Sequence, residues 1–406
     1  MHSHSLFEDL LGLEPPYHIA EINQEHDDKG ICAVHIYIEV EEGFRPVDAQ
    51  GQTATIHDYQ ARTWKHLHLF QYPCYLHCRV PKFAYRDGHV KTLEVPWARP
   101  QSGFTLHFER FAMFLIELHG TVAQVARQLD VYPQRLWQLI DYYGADYQAT
   151  EAEMKQVERL GLDETSKRKG HDYVSCFIDL DRGHLLGVEA GKSSDTIETF
   201  VKQARRNGLD PGAITEVSID MSPAFQAGVR EHFAEARISF DKFHVSKLVN
   251  DAFDQSRRAI ARQHGRRFNK WIFFKQHLSA SEAEQLAELL AAYPALDRLY
   301  HHKRLFSMLW QHEHAEEAGA FLQYWIDTAK ELGHKAMRRV ATTLARHFAG
   351  IVAYFESGVT NALLEGFNSK VQTMKRTARG YRKTENLIRM IHIHCGHRSL
   401  SPTRII

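Results

Sequence analysis

The sequence of 406 residues predicts an α/β protein. Strand and helix patterns alternate between residues 154 and 254, which is typical of helices packed on a sheet. Residues 31–100 are rich in β-branched and aromatic residues, whereas residues 255–355 show only helical periodicity. A chain of this length exceeds one ordinary hydrophobic core, so we expect several domains.

The composition is that of a globular protein of the reducing cytoplasm. Hydrophobic residues make up 44% of the chain and charged residues 25%. No apolar stretch is long enough to span a bilayer, and the first residues, MHSHSLFEDLLGLEPP, lack the pattern of a signal peptide. The five cysteines are scattered and form no disulfide framework. We therefore expect a cytoplasmic protein with no membrane partner.

Residues 121–144, TVAQVARQLDVYPQRLWQLIDYYG, have the spacing of a helix-turn-helix. Asp130 occupies the turn position, where it tolerates left-handed geometry, and Pro133 suits the first turn of the second helix. The positions that must be buried hold Val125, Ala126, Leu129, Val131, Leu136 and Leu139. Gln134, Arg135 and Gln138 then point outward and are predicted to reach base edges in a major groove. A purely structural helical hairpin is the alternative.

The α/β region begins with the strand VERLGLDE and a hairpin, DYVSCFIDLDRGHLLGVEA, that turns at residues 181–183. Helix SSDTIETFVKQARRNG, strand ITEVSID, helix PAFQAGVREHFAEA, strand RISFDKF and helix VSKLVNDAFDQSRRAIARQ follow. Asp163 and Asp220 come after apolar runs, which predicts that they lie at strand ends, beside each other if the strands are neighbours. Carboxylate oxygens are the ligands that Mg²⁺ prefers. Glu164 and Asp241 are rivals for the same roles, and a turn or capping residue is the alternative for each.

Residues 361–383, NALLEGFNSKVQTMKRTARGYRK, hold one acidic residue, Glu365, at the head of a basic segment. On a helix, Asn361, Glu365, Asn368 and Gln372 share one polar face. Leu364, Phe367, Val371 and Met374 form an apolar stripe that can pack on a core. A solvated amphipathic helix is the alternative.

Net charge is zero, with 50 acidic and 50 basic residues, but the basic residues are clustered. Residues 255–276 carry seven Lys or Arg and no acid, and from Gly366 to the end there are nine against one. Such clusters indicate a polyanionic partner, although a basic run is often only a solvated surface. The residues expected to grip DNA phosphates are Arg257, Arg258, Lys370, Lys375, Arg376, Arg379 and Arg382.

Several segments in this order resemble bacterial insertion-sequence transposases of the DDE class, in the ISL3 family. They are LDETSKRKGHDY, SIDMSPAF, FDKFHVSKLVNDAFDQSRR and TNALLEGFNSKVQTMKRTARGYR, and the resemblance runs from about Trp64 to Gly380. It implies an RNase H-like catalytic core whose catalytic and metal-binding residues are Asp163, Asp220 and Glu365, with two Mg²⁺ or Mn²⁺ ions. His244, Asn361 and Asn368 have supporting roles.

The resemblance and the patterns together divide the chain into five parts. Residues 1–103 form a small β-rich domain, 104–150 the helix-turn-helix, and 151–254 the first part of the catalytic core. Residues 255–355 form an all-helical insertion, and 356–406 return to the core with the Glu365 helix and the basic end.

Related transposases usually begin with a zinc-binding element of CxxC pairs, which this sequence lacks. Cys32 and His35 are three residues apart, and such residues point to opposite faces of a strand. We therefore expect no structural zinc at Cys32, His35, Cys74, His77 and Cys78, and only local packing at His392, His394, Cys395 and His397.

The predicted function is that of an insertion-sequence transposase. Such an enzyme binds terminal inverted repeats and catalyses Mg²⁺-dependent strand cleavage and strand transfer by a two-metal mechanism. Its partners are double-stranded transposon ends and target DNA, and the resemblance implies a homodimer or higher homo-oligomer, cytoplasmic and associated with the nucleoid when bound to DNA. The alternative is a DNA-binding regulator with an inactive RNase H-like domain.

Overall fold

The structure is a computed structural model that describes residues 5–26, 30, 32–47, 51–119, 121–167, 172–357 and 362–396. Two compact units divide the chain between Tyr143 and Gly144. No described helix is both long and apolar enough to cross a membrane.

The first unit combines a five-stranded sheet with four helices. Its elements are α1 (Ser5–Leu11), β1 (Tyr17–His26), β2 (Cys32–Val40), β3 (Thr55–Leu69), β4 (Tyr72–Ala84), β5 (Val90–Thr92), α2 (Leu106–His119), α3 (Val122–Gln128) and α4 (Pro133–Tyr143). The strand order is β1-β2-β4-β3, and β5 pairs with β4. The β-rich prediction is confirmed for residues 31–100. The strand β1 was not predicted, because its sequence YHIAEINQEH is largely polar and mostly exposed.

A buried apolar layer lies on one face of this sheet. Trp64 and Trp97 pack edge to face with ring centroids 5.5 Å apart, and Leu76 and Val80 of β4 are fully buried beneath them. Lys65 on β3 donates from Nζ to the carbonyl of Asp130 at 2.7 Å, which ties the turn between α3 and α4 to the sheet.

The second unit contains the other sheet and the remaining helices. Its elements are α5 (Glu151–Met154), β6 (Arg159–Ser166), β7 (Tyr173–Asp179), β8 (His184–Ala190), α6 (Ser194–Arg206), β9 (Glu216–Ile219), α7 (Pro223–His232), β10 (Arg237–Phe240), α8 (Lys242–Gln263), α9 (Ala280–Ala292), α10 (Pro294–Phe306), α11 (Ala315–Glu331), α12 (Lys335–Arg346), α13 (Phe348–Ser357), α14 (Ala362–Thr377) and α15 (Thr384–Cys395). The predicted order of strands and helices from residue 159 to 263 is confirmed.

The strand order of this sheet is β10-β9-β6-β7-β8. β6, β7 and β8 pair antiparallel as consecutive strands, whereas β9 and β10 run parallel to β6 on its other side. Parallel neighbours need a crossover, which α6 and α7 supply. The result is a mixed sheet with a meander on one side and a parallel layer on the other.

Residues 255–355 are all described, and they contain helices and the turns between them but no strand, as predicted. The predicted boundary after residue 254 is wrong, because it falls inside α8, which runs unbroken for 22 residues. Apolar residues of this helical region, such as Leu296, Leu322 and Trp325, belong to the same buried cluster as Leu160 and Val217 of the sheet. The helical region therefore shares one core with the sheet.

Candidate functional site

The helix-turn-helix of the first unit has the predicted geometry. Thr121 caps α3, accepting a hydrogen bond from the backbone N–H of Gln124, and α4 begins at Pro133. Asp130 has a φ of 50°, the left-handed value that the turn requires. Of the six positions predicted to be buried, Val131 is half-buried and the others are buried, namely Val125, Ala126, Leu129, Leu136 and Leu139.

The three predicted base-reading residues differ in what they contact. Gln134 and Gln138 are exposed on α4. The guanidinium of Arg135 instead lies 3.7 Å from the ring centroid of Phe104, and burial lowers its pKa. Arg135 therefore packs within the first unit, and the two glutamines are the free polar side chains of this face.

Three aspartates occupy equivalent positions on adjacent parallel strands of the second unit. Gly161 pairs with Ser218 and Ile219 with Phe240. Continuing both registers sets Asp163, Asp220 and Asp241 side by side at one edge of the sheet. The backbone N–H of Asp241 donates to the carbonyl of Ile219 at 3.1 Å, which extends the ladder to this point.

One detail of the sequence prediction is corrected. Asp163 was predicted at the end of its strand, but it lies inside β6, opposite Cys176 of β7, and the strand continues to Ser166. Pairing with β7 keeps the polar residues Glu164, Thr165 and Ser166 extended. Asp220 follows directly after β9, as predicted.

Local contacts fix each aspartate differently. Asp163 is buried, and its Oδ1 accepts from the backbone N–H of Glu164 at 2.7 Å. Asp220 accepts from the N–H of Ser222 at 2.8 Å, just before α7. Asp241 caps α8 by accepting from the N–H of Phe243 at 2.6 Å. Both Asp220 and Asp241 therefore also serve local turns, which is the structural role that was set against the catalytic one.

Electrostatic interactions connect the predicted carboxylates around the start of α8. Burial, followed by the charges of Asp163 and Glu365, raises the pKa of Asp241 against the opposing effects of the Phe243 N–H and His244. The neighbouring imidazole of His244 has its pKa raised, first by Asp163 and then by Asp241 and Asp220, against the effect of burial. Its Nε2 lies 3.8 Å from Asp163 Oδ1, which is an ion-pair distance. All three predicted carboxylates are therefore within electrostatic range of the Asp241–His244 pair.

Glu164 is not equivalent to the aspartates. Its carboxylate lies 3.6 Å from the ammonium of Lys192. Burial raises its pKa, and the charges of Asp220 and Asp163 add to that effect. Glu164 thus has a cationic partner in the turn between β8 and α6, whereas Asp163 has an amide and an imidazole.

The helix α14 packs on β6 through both of its predicted stripes. Leu364, Val371 and Met374 are buried, and Phe367 is half-buried. A side chain added at Gly161 would lie 3.0 Å from Leu364 Cδ2, so the glycine allows the helix to approach the strand closely. The solvated-helix alternative is wrong for this segment.

The polar stripe of α14 faces β6 with two of its members. The amide of Asn368 donates to Asp163 Oδ2, and the amide of Gln372 donates to Thr165 Oγ1 at 2.9 Å. Glu365, one turn before Asn368, is exposed. Asn361, the remaining member, lies outside the described residues. The structure therefore brings Asn368 and His244 onto Asp163.

The donor set suits a hard divalent cation, since Asp163, Asp220 and Glu365 all offer carboxylate oxygens. Within the described chain, however, no three His, Cys, Asp or Glu side chains lie close enough together to bind one metal ion. The amide of Asn368 also contacts the Asp163 oxygen that a cation would need. The residue types fit a divalent metal, and the three carboxylates are not gathered into one ligand set.

Two of the predicted DNA-contacting cations are corrected, because their charges are used within the protein. Arg257 is buried, and its guanidinium donates to Asp254 Oδ1 at 2.7 Å and to the carbonyl of Phe268 at 2.8 Å. Lys375 donates from Nζ to the carbonyl of Ser166 at 2.5 Å, and burial lowers its pKa.

The other predicted cations are exposed, namely Arg258, Lys370, Arg376, Arg379 and Arg382. On a helix that continued past Thr377, Arg379 would share the face of Glu365. The helix α14 ends at Thr377, and Arg379 has a φ of 54°, so it does not share that face. The following Gly380, also left-handed at 89°, completes the turn that ends the helix.

The cysteine and histidine clusters are packed within the protein. Burial raises the pKa of Cys74 and Cys78 to about 12, so both remain thiols at neutral pH. His35 Nδ1 and His77 Nε2 share a hydrogen bond of 2.8 Å. Burial lowers the pKa of His392 to about 4. His397 lies outside the described residues.

Comparison with known proteins decides the family. Residues 160–391 match the family described as transposase, and residues 93–144 match the helix-turn-helix domain of transposase family ISL3. The chain belongs to the ISL3 family of transposases. It is 26% identical to the transposase for insertion sequence element IS1001 of Bordetella parapertussis, over 81% of this chain and 83% of that protein. It is 25% identical to the transposase for element IS1557 of Mycobacterium tuberculosis, over 98% and 97% of the two chains.

The two family matches of this ISL3 transposase coincide with the two regions described above. The longer match includes β6 to α15 up to residue 391, and thus Asp163, Asp220 and Glu365. The shorter match includes α2, α3 and α4. Sequence reasoning missed the cations Lys335 and Arg339 of α12. Their spacing of four residues in KAMRRVATTLAR, on one helical face, was a signal that could have identified them.

Proposed function

We propose that this transposase binds the ends of its insertion sequence and cuts and joins DNA strands at a site built from Asp163, Asp220 and Glu365. The observation that carries the proposal is the neighbouring position of Asp163 and Asp220 on parallel strands, with α14 docked on Asp163 through Asn368. The order and directions of strands β10-β9-β6-β7-β8 support an RNase H-like core.

In this proposal Asp163, Asp220 and Glu365 would hold Mg²⁺ or Mn²⁺, which would supply positive charge to stabilise the phosphoryl oxygens of the pentacoordinate transition state and the leaving oxygen. Water first attacks a phosphodiester at the element end, forming a P–O bond and breaking the P–O3′ bond, and the 3′ oxygen takes up a proton. That 3′-hydroxyl then attacks a target phosphodiester, joining the element to the target and releasing a target 3′-hydroxyl.

The remaining residues of the site position the carboxylates and the DNA. Asn368 holds one oxygen of Asp163, and the Glu164 N–H holds the other. His244 lies beside the same carboxylate and offsets its charge. Lys370 and Arg376, exposed on α14, are available to phosphates next to the scissile link.

The helix-turn-helix supplies recognition in this proposal. Gln134 and Gln138 are exposed on α4, and amide side chains of this kind can pair with adenine in the major groove. Joining requires two element ends to be held together, so we expect a homodimer or larger homo-oligomer. Acting on chromosomal DNA, the protein is expected in the cytoplasm, at the nucleoid.

A DNA-binding regulator is the second candidate function. It is favoured by the separation of the three carboxylates, which share no ligand set in the described chain, and by the amide on Asp163. In that case the helix-turn-helix would bind DNA, and the carboxylates on the sheet would catalyse no reaction.

One experiment separates the two functions. Purified protein is incubated with a duplex carrying the element end and its flank, with and without Mg²⁺. We expect Mg²⁺-dependent nicks at the element boundary and, with added target duplex, joined products. Binding without any nick, at Mg²⁺ or Mn²⁺ concentrations that saturate other metal-dependent nucleases, would leave the regulator; nicks without joined products would leave a plain nuclease.

A further inference from the structure

A basic groove lies in the helical region of the second unit. It is formed by the C-terminal half of α8, the turn that follows, and the first turn of α12, and it encloses about 890 Å³. No acidic residue is among the residues that line it. Its exposed cations are Arg258, Arg262, Arg266, Arg267, Lys335 and Arg339, and the buried Arg257 also lines it.

The cations are arranged in pairs along the two helices. Arg258 and Arg262 are four residues apart on α8, and Lys335 and Arg339 are four residues apart on α12. At 1.5 Å per residue, each pair is separated by about 6 Å along its helix. This separation is similar to that between successive phosphates of a nucleic acid strand, so each helix can follow one stretch of backbone.

Most of these charges are uncompensated within the protein. Arg258 lies 3.1 Å from Asp254, so its charge is partly paired. The other five are exposed and have no salt bridge with any residue in the described parts of the chain. Five neighbouring cations repel one another, and the chain as a whole has no net charge. The groove is therefore a local positive region that an anion would stabilise.

The buried Arg257 explains how the groove keeps its shape. Its guanidinium joins Asp254 of α8 to the carbonyl of Phe268, which follows Arg266 and Arg267 in the turn. Gly265, with a φ of 61°, allows the chain to reverse after α8. Arg257 is thus a positioning residue, and the pair Arg266 and Arg267 is held at one end of the groove.

We propose that this groove binds the phosphate backbone of duplex DNA without regard to sequence, as a DNA site separate from the helix-turn-helix. The inference rests on the proposed function, because joining brings a second duplex, the target, to the protein. Phosphate contacts from Arg and Lys position a duplex but carry no base information. A groove lined mainly by cations, with Gln255 as its one exposed amide among the lining residues, suits a target of unselected sequence.

The test measures binding of full-length protein to a fluorescent duplex of random sequence, by anisotropy at a series of salt concentrations without divalent metal. Two groove variants are compared, Arg262→Gln/Arg266→Gln and Lys335→Gln/Arg339→Gln. The matched control is Arg205→Gln/Arg206→Gln, which removes two exposed charges from the end of α6. Thermal melting checks that every variant is folded.

We expect each groove variant to lower the slope of log affinity against log salt by about 2, since each lost phosphate contact removes about 0.9. The control is expected to keep the wild-type slope. Equal slopes in the groove variants and the control would overturn the proposal. So would displacement of the duplex by inorganic triphosphate at concentrations equivalent in charge, because that result indicates a pocket for a small polyanion.

The cleavage assay on the element end separates this inference from the proposed function. If the wild type nicks DNA but the groove variants keep the wild-type salt slope, the groove proposal is rejected and the proposed enzymatic function is retained. If the groove variants lower the salt slope but the wild type never nicks DNA, the groove is retained as a DNA site and the proposed enzymatic function is rejected.

Discussion

The strand-borne and helix-borne parts of the candidate site are held in different ways. Backbone pairing of the adjacent parallel strands β6 and β9 places Asp163 beside Asp220, because the register of the two strands is fixed. Glu365 arrives on α14, which is held to β6 by side chains of Asn368 and Lys375 and by the packing of its apolar stripe. The sheet therefore fixes the positions of Asp163 and Asp220, whereas the position of Glu365 depends on how α14 docks.

The difference is visible in burial. Asp163 is 7% exposed, whereas Glu365 is exposed at the start of its helix. The few side-chain contacts that hold α14 can change when a rotamer changes or when the end of the helix shifts. The backbone hydrogen bonds between the strands do not change in this way. In the proposed site, Glu365 would therefore reach the aspartates by adjustment of α14, with the sheet unchanged.

The largest expected effect comes from the strand-borne carboxylates. Asp163→Asn and Asp220→Asn should each lower the rate of Mg²⁺-dependent nicking by about 10³-fold or more, because a metal ligand contributes several kcal/mol to transition-state stabilisation. Affinity for the end duplex should be unchanged, as measured by anisotropy. Chelation of the metal should reduce the wild type to the same level.

Asp241→Asn is the matched control for this prediction, since Asp241 occupies the equivalent position on the next strand. Its side chain caps α8, and asparagine caps a helix about as well as aspartate. Asp241→Asn should therefore change stability little and keep the rate of nicking close to that of the wild type. If Asp241→Asn abolished nicking while Asp220→Asn did not, the rival ligand identified in the sequence would replace Asp220.

The second prediction concerns the helix-borne carboxylate. Glu365→Gln should abolish nicking to a similar extent while the melting temperature stays within experimental error of the wild type, because the side chain is exposed. The measurement pairs single-turnover nicking with thermal melting. Wild-type nicking by Glu365→Gln would show that the site is complete on the sheet and would end the role assigned to α14.

Sequence alone predicted much of the second unit, because strands and helices there alternate with clear periodicity. Asp220 and Glu365 were singled out by pattern and by resemblance, and α14 has the two stripes that its spacing required. The place of Asp163 inside its strand was not predictable from the polar run ETS, which only the pairing with β7 keeps extended. Tertiary pairing overrode a local preference here.

Charge clusters were the least informative signal. Arg257 and Lys375 were expected to contact DNA, yet Arg257 donates its hydrogen bonds to Asp254 and Lys375 donates to Ser166 within the protein. Lys335 and Arg339 were overlooked, because they come close to α8 only through the packing of α12 in the fold. Counting charges along the chain cannot distinguish a buried guanidinium from an exposed one, since both have the same sequence neighbours.

The third prediction tests the contact between the two parts of the site. Asn368→Ala removes the amide that holds Asp163, and it should lower the nicking rate at saturating DNA by about 10- to 100-fold. DNA affinity should not change. Gln372→Ala is the matched control, because its amide donates to Thr165 one turn further along α14 and touches no carboxylate.

Asn368→Ala removes one side-chain hydrogen bond, whereas Gln372→Ala removes two, the one to Thr165 and the one from Lys375, so the control is expected to lose at least as much stability. A purely structural Asn368 would give equal nicking rates in both. Faster nicking by Asn368→Ala than by the wild type would instead mean that this amide competes with the metal for Asp163, so either difference from the control connects α14 to the strand-borne carboxylate.

The smallest effects are expected from two adjacent cations of α14. Lys375→Met should lower the free energy of unfolding by about 1 kcal/mol, because its ammonium donates to Ser166 and Thr165 of β6, and should leave the salt dependence of DNA binding unchanged. Arg376→Gln, which replaces an exposed charge, should do the reverse. It should keep the wild-type stability and lower the salt slope by about 1.

Denaturant unfolding and anisotropy across salt concentrations measure the two quantities. The exchange of these effects between Lys375 and Arg376 would mean that α14 rotates on β6 when DNA binds, and the docking described for the helix-borne part would then belong to the free protein alone.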